Sequence, residues 1–404
     1  MSTQFDTLSE EQMQRWRESV ERLGFNPDYE ATGHARSLTT PDYDEFASWL
    51  GEARDRNLAA NIKRVKPPDL NQPVERMSPA RLRKALAYHF SGLYTLDDDM
   101  LGQIRQRLPL MVADVYAAPD ITVTAANPLI INSTTSIMTY GVVTITDGGY
   151  IRITVPAYFS CEKMIKVASD PATSDATFYD IQILGADGVN QPVANPGHTP
   201  GKAGNGKNAE CDCCGGAVVS DGTNGSDGSD GSVGDNGLNG GNGTDAMTVT
   251  FDIRQLTGFV SLLNQGGVGG QGGQGGRGGD GGEGGNGGKD VTCAATHGNG
   301  GNGGNGGNGG NGGNGGNGGN GGDGADVVVY FVPSAEGGRV TATNGKAAAG
   351  AKGLGGVVGA GGTGGKGGGR GAVDGKPGQP GQMKGADGQE GMPGAAGTTN
   401  LNPA

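Results

Sequence analysis

The hydrophobic period of the chain changes twice. Over residues 1–115 apolar positions recur three and four apart, the spacing of helices that bury one face. Ser9 and Gln12 form a capping-box pattern. Behind them Met13, Trp16, Val20 and Leu23 line one face, and Gly24 supplies a stop. A second helix is expected from near Pro41, with Phe46, Leu50 and Ala53 on its inner side. Ser78-Pro79 reads as a cap followed by Pro at the first helical position, opening a helix with Leu82, Leu86 and Phe90. Asp97–Asp99 suit the positive end of a fourth helix dipole, with Met100, Leu101, Ile104 and Leu108 inside.

Between residues 120 and 190 the period becomes two. Ile121–Val123, Val143–Ile145, Ile151–Val155 and Phe178–Ile183 read as strands. Asp147-Gly148-Gly149, between the second and third, is a hairpin-turn signal. These residues predict a small antiparallel β domain over 116–196.

From residue 197 the period is three. Gly keeps strict phase from Gly222 to Gly243, and Gln265–Lys289 reads X-Gly-Gly with mostly polar X. Asn299–Gly322 is Asn-Gly-Gly eight times over, and Gly350–Gly371 again holds every third position. The four stretches run 22, 25, 24 and 22 residues. After one-residue slips the phase resumes at Gly375–Gly381 and Gly385–Gly397. Three is the period of polyproline II, which rises about 3.1 Å per residue without internal hydrogen bonds, so each stretch would extend about 70 Å. When buried, such segments must pair with neighbouring segments, and only Gly permits the close approach. The matched lengths predict rods laid side by side and turned at both ends. The alternative is a solvated linker.

Thr248–Ile253 with Gly258–Val260, and Val327–Val332 with Arg339–Thr341, read as strand pairs between rods. Residues 375–404 contain Gly-X-Y triplets and read as a collagen-like tail, although Asp374 and Lys384 break the register that a triple helix needs. The expected fold class is therefore multi-domain. An N-terminal α-helical module (1–115) and a small antiparallel β domain (116–196) precede a C-terminal bundle of glycine-rich polyproline-II-type helices with interleaved short strands (197–374), and then the tail.

Composition sharpens this picture. Gly supplies 84 of 404 residues and is concentrated after residue 196, where large apolar side chains become rare. That excludes one conventional core across the chain and leaves the C-terminal half without the packed scaffold that catalytic groups require. The net charge is −12 with no block basic enough to follow phosphates, so nucleic acid is not an expected partner. No apolar run approaches the roughly 20 residues of a membrane span. Met1–Glu11 lacks the basic and apolar regions of a secretory signal.

Few residues suggest chemistry. Cys211, Cys213, Cys214, Cys293 and His297 form the sharpest cluster; they could close a tetrahedral metal site or supply disulfides that staple the rods. Their spacing fits no standard zinc pattern, and with Cys161 the cysteines number five, so at least one is free or intermolecular. Either role would be structural, and no metal or cofactor is assigned. Gly201–Lys207 matches the first part of a phosphate loop, but Asn208 stands where Ser or Thr would bind magnesium. Asp221, Asp227 and Asp230 lack the twelfth-position Glu of an EF-hand. His34 and His89 are isolated and read as surface or packed residues. No Ser-His-Asp or Cys-His nucleophile arrangement stands out.

Gln265–Gly288 and Asn299–Gly322 resemble the polyglycine-II sandwich proteins. These include glycine-rich tip adhesins of some phage long tail fibres and, more distantly, glycine-rich antifreeze proteins of springtails. The resemblance covers residues 197–397, about half the chain, and rests on periodicity. It implies a rigid rod, virion-associated or exported, whose end loops meet a cell-surface receptor while the N-terminal helical module docks to a fibre or assembly partner. The frequent Asn, Gln and charged X residues argue against ice binding. The loops expected to recognise a target are Ser334–Gly338, with Ser334, Ala335 and Glu336; Asn344–Ala349, with Asn344 and Lys346; and Asp290–His297, with Thr292 and His297. A self-assembling filament or matrix protein, or a disordered glycine-rich spacer, is the alternative.

Overall fold

The structure is a computed structural model. It describes residues 8–28, 35–49, 73–77, 81–82, 85–86, 89, 96–108, 111–134, 136–167, 178–212 and 216–403. The expected fold class does not hold. The protein is mostly β, built on one large curled mixed sheet rather than on a helical module and a helical bundle.

The sheet is a stack of rungs. Strands β2 (Met111–Val123), β4 (Ser136–Ile145), β6 (Ala157–Lys166), β10 (Val249–Gln265), β13 (Asp326–Asn344) and β14 (Thr398–Pro403) pair in parallel, each on the next. A second arm of β3 (Leu129–Ile131), β5 (Ile151–Ile153) and β7 (Ile181–Leu184) stacks in parallel onto the far half of β10. Among the described residues only β1 (Ala35–Thr40) is antiparallel in this sheet, closing the first rung against β2.

The register puts like residues in columns. Tyr116, Met138, Phe159, Phe251, Val329 and Leu401 are successive partners across six strands. The Phe159 and Phe251 rings lie 5.4 Å apart. On the second arm Ile131, Ile153 and Ile183 lead to Asn264. These columns form the inner core.

Several expectations fail for one reason: partners lie far apart in sequence. Asp147-Gly148-Gly149 is no hairpin. Gly148 has φ +69° and turns a corner, so that β4 and β5 lie in different arms of one rung, β4 stacking on β2 and β6 and β5 on β3 and β7, instead of on each other. The two supposed strand pairs are single long strands, β10 and β13, paired in parallel and irregular near Gly258 (φ +88°) and Gly337 (φ +96°).

The helices do not make a separate module. The capping box forms at Ser9 and Gln12 and opens α1 (Glu10–Arg22). Helix α2 is Tyr43–Trp49, and α3 is Asp98–Arg107 with Asp97 as its cap. Trp16, Val20, Phe46, Leu82, Leu86 and Ile104 join Val115, Ile137 and Tyr158 from the outer face of the sheet in a second core. Helices with apolar stripes need a surface to cover, and here that surface is the back of the early rungs. His34, Leu50, Ala53 and Phe90 lie outside the described residues. His89 is buried, and its Nδ1 accepts the Leu96 N–H at 3.1 Å.

The glycine-rich stretches are insertions between rungs. Rods A (185–209) and B (221–246) run out from β7 and back to β10; C (266–289) and D (299–325) link β10 to β13; E (345–368) and F (373–397) link β13 to β14. They carry no helical turn and are extended segments. The outgoing rods A, C and E lie parallel in one layer: Gln191 N–H donates to Gln271 C=O at 2.9 Å, and Gly272 N–H to Ala351 C=O at 2.9 Å. The returning rods B, D and F form the other: Gly225 N–H donates to Asn302 C=O at 2.9 Å, and Gly303 N–H to Val373 C=O at 2.9 Å. Between layers one line of bonds crosses all six rods. Gly385 donates to Gly356, Gly356 to Gly313, Gly313 to Gly276, Gly276 to Asp235, and Asp235 to Asn195. Such a line recurs every three residues, so Gly is needed wherever a rod faces a neighbour.

Buried Asn264 ties rods to sheet. Its side chain donates to Ala325 C=O at 2.6 Å and accepts Ala325 N–H at 2.9 Å, where rod D meets β13.

A Cβ on Gly276 would lie 1.9 Å from Asn195 O, whereas one on Gly201 meets nothing within 4 Å. Gly276→Ala is therefore expected to cost at least about 3 kcal/mol, because backbone cannot move aside. Gly201→Ala should be neutral or stabilise by about 0.5 kcal/mol. Thermal melts of the two variants check this.

Candidate recognition surface at the rod tips, faces and edges

The ends of the rods farthest from the sheet are three reversals side by side. The first is the hairpin of β8 (Glu210–Cys211) and β9 (Val218–Ser220); the second is that of β11 (Val291–Thr292) and β12 (His297–Gly298). The third is a turn at 369–372, where Gly369 (φ +118°) and Gly371 (φ +76°) take backbone conformations that L side chains rarely adopt. The reversals are bonded to one another. Cys211 and Cys293 form a disulfide between the first two. Val218 N–H donates to Thr296 Oγ1 at 3.0 Å, and Gly300 N–H to Arg370 C=O at 2.9 Å. The disulfide takes both sulfurs out of any thiolate ligand set. Cys213 and Cys214 lie outside the described residues. Cys161, far away, is buried in the core, and burial pushes its thiol well up.

The expected recognition loops are not brought together. Thr292 and His297 sit at the tip, both exposed. Ser334, Ala335 and Glu336 lie on the bend of β13, where Ser334 Oγ donates to Gly337 C=O at 3.2 Å. Asn344 and Lys346 lie at the rod base, and Asn344 Oδ1 accepts from Asn264 and from Thr399 at 3.0 and 2.7 Å. That makes Asn344 part of the sheet–rod joint. The tip hairpin at 210–220 and the turn carrying Arg370 were missed. The available signal was the loss of glycine phase after Gly371.

The faces explain the X residues. Each Asn or Asp at an X position of rod B accepts the X-residue N–H of rod D: Asn302 donates to Asn224 Oδ1 at 2.8 Å, and Asn317 to Asn239 Oδ1 at 2.8 Å. Rod D does the same for F: Val373 N–H donates to Asn302 Oδ1 at 3.0 Å, and Gln389 N–H to Asn317 Oδ1 at 2.8 Å. Wherever the facing X residue is Asn or Asp, the outward N–H of every third residue thus finds an acceptor. Rods E and F have no further rod beside them, and their X positions carry Ala, Val, Thr, Lys, Gln or Met instead of Asn. The Asp residues at 221, 227 and 230 serve the same bonds. The Gly201–Lys207 stretch lies within rod A.

The edges are capped at intervals. Along E, Gly355 and Gly367 N–H groups donate to Asp387 and Asp374 Oδ1 at 3.0 and 2.8 Å, and Lys352 and Lys366 approach the second oxygens. Those bonds and lysines hold both carboxyls below the usual carboxylate range. Pro377, Pro380 and Pro393 on F have no N–H to offer. On the opposite edge Thr223, Ser232 and Thr244 hydroxyls accept N–H groups of rod A, each at 2.7 Å.

Under α1 a cavity of about 40 Å³ is lined by Trp16, Arg22, Tyr158, Glu162 and Arg254, room for about one water molecule. Arg15 Nη2 meets one oxygen of Glu162 at 2.9 Å and Arg254 Nε meets the other at 3.3 Å, so that Glu162 clasps α1 to the sheet. Burial pushes the Glu162 carboxyl up, and the two arginines pull it back only in part. Among the described residues no group of His, Cys, Asp and Glu is placed to hold a metal, and no helix is long and apolar enough to cross a membrane. Comparison with known proteins returns no matching family model, no matching curated protein and no matching solved structure.

Two outcomes are expected. The Asp374 and Asp387 caps have folded values below the ordinary one of about 3.9. Their contribution is complete above that value and is lost as pH falls through the folded one. Protection of the Gly355 and Gly367 amides, taken relative to free-chain exchange at each pH from 5 down to about 2, should fall only at the acid end. Cys211→Ser with Cys293→Ser should cost at most about 4 kcal/mol. Exchange should speed up at 210–220 and 291–298 and stay unchanged at Gly267 and Gly322 near the base.

Proposed function

We propose that this chain is a non-enzymatic adhesive protein whose curled sheet carries a stiff glycine rod that offers its tip to a cell-surface receptor. The observation that supports the reading is the arrangement of the three out-and-back pairs. They leave one sheet in step, keep register apart from a one-residue slip of rod F at Gln382–Met383, and end in three reversals bonded to one another and crossed by the Cys211–Cys293 disulfide. A rod stabilised along its length by backbone pairing can leave several of its tip side chains for recognition. Thr292, His297 and Arg370 are exposed there. The resemblance to glycine-rich tip adhesins points the same way. Filament growth through unpaired backbone edges is the weaker reading, because Pro, Asp, Ser and Thr occupy those edges.

Replacing Thr292, His297 and Arg370 together by Ser should abolish binding to a cell that wild-type protein binds, while the melting temperature stays within about 2 °C, as for ordinary surface changes. Undiminished binding by the triple variant would sink the reading.

A further inference from the structure

Sheet and rods share one lattice. Leu262 faces Ile181 in the sheet and Val268 faces Asp187 in the rods, both 81 residues apart. Asn264 faces Asn344 and Asp280 faces Ala360, both 80 apart. The outer face of β7, β10 and β13 therefore runs in register into the X positions of rods A, C and E. The helices pack on β2, β4 and β6, on the first arm. On the opposite rod face, B and D carry almost only Asn and Asp at X. The side formed by the second arm and rods A, C and E is more apolar. Phe259, Val193, Leu354 and Val357 are each more than half exposed there, and Val268 more than a third. Val193, Gln274 and Leu354 form one transverse row, because Ala194 N–H donates to Gln274 C=O and Gly275 N–H to Leu354 C=O.

We infer that two copies of this chain pair through this side, about a two-fold axis parallel to the rods. Such an axis lays β10 and rod C on their own counterparts and exchanges A with E. Val193 then meets the partner's Leu354, and Leu354 meets the partner's Val193. Phe259 and Val268 lie along the axis and meet themselves. Arg339, which neighbours Phe259 in the register, crosses to the β7 column, where exposed Phe178 can receive a cation on its ring. Val268 and Gln271 N–H groups already donate to Asp187 and Asn190 Oδ1, each at 2.7 Å, so drying the face strands neither. Charge sets the upper limit of the contact: Arg277 and Asp280 pair at 2.6 Å on rod C, and Glu283 follows towards the tip. From Phe259 to Gln274 the face is about 50 Å long at the rise of strand and rod. Three segments about 4.8 Å apart give roughly 700 Å² per copy, against about 800 Å² per partner in a standard interface. A two-fold contact is isologous and closes at the dimer. It sets both tips at one end, side by side, and requires nothing of them.

Sedimentation velocity of the full chain tests it. Wild-type protein should reach a dimer and nothing larger as concentration rises. The dimer should persist at about 1 M salt, where charges are screened within about 3 Å. Val268→Glu and Leu354→Glu, both at exposed positions, should each weaken it at least about tenfold. Val233→Glu, on the opposite rod face, should leave it unchanged. Gln274 lies on the axis, so oxidation should link the Gln274→Cys dimer covalently, and wild-type protein should show no such link. Protein that stays monomeric at every concentration overturns the inference, as do growth beyond the dimer and dissociation by salt. Equal loss through Val233→Glu overturns it as well. A Gln274→Cys dimer that oxidation does not link also overturns it, because that marks an antiparallel pairing.

Discussion

Backbone meeting backbone with no side chain between sets the terms for this molecule. In rods C and D two residues of every three are Gly, and a Cβ on almost any of them would fall about 2 Å from a neighbouring carbonyl oxygen. The same closeness lets each N–H reach a carbonyl at 2.8–2.9 Å. Ordering Gly costs more backbone entropy than ordering any other residue, and these rods bury little apolar surface to offset it. What offsets it is hydrogen bonding that runs through six segments in series, where each bond polarises the next. The glycine count of a rod therefore reports its position. Central rods need Gly at two positions of each triplet, while edge rods can place Ser, Thr, Val, Pro or Lys at one of them.

The sheet supplies what the rods cannot. Its columns of Met138, Phe159, Phe251 and Val329, and of Ile131, Ile153 and Ile183, hold the apolar core. The parallel stacking sets the spacing from which successive rod pairs leave. Long strands β10 and β13 span both arms, so each outgoing rod starts one rung beyond the last. Asn264 at the joint passes that register from sheet to rod, which accounts for a fully buried amide at the end of an isoleucine column.

How much of this could be read from the sequence depended on the distance between partners. Local signals were legible: the Ser9 capping box, the Asp97 cap, and strand-forming residues at 121–123 and 249–253. Pairing was not. Asp147-Gly148-Gly149 looks like a hairpin because sequence records the turn and not the destination of the strands leaving it. Val249 meets Ala157 and Val327, which lie 92 and 78 residues away along the chain with rod pairs between them. The helical stripe of Trp16 and Val20 is visible, but nothing local says that it covers a sheet. In the candidate surface the tip hairpin around His297 was legible from its break in glycine phase. Asn344 looked like an exposed loop residue because its partners, Asn264 and Thr399, lie 80 and 55 residues away.

The bonding of the Asn-Gly pairs bears on the chemical lifetime of the chain. An Asn followed by Gly is prone to lose ammonia when the glycine nitrogen attacks the side-chain carbonyl carbon and closes a succinimide ring. In rod D every such nitrogen from Gly303 to Gly321 is committed to a carbonyl of rod F, and that of Gly300 to Arg370 in the adjoining turn. The amide oxygens from Asn302 to Asn320 are likewise held by the N–H groups of that rod. The ring cannot close without breaking both. A repeat that would age quickly as a free chain is thus preserved by its own folding, and the rods set a chemical clock that starts only when they come apart.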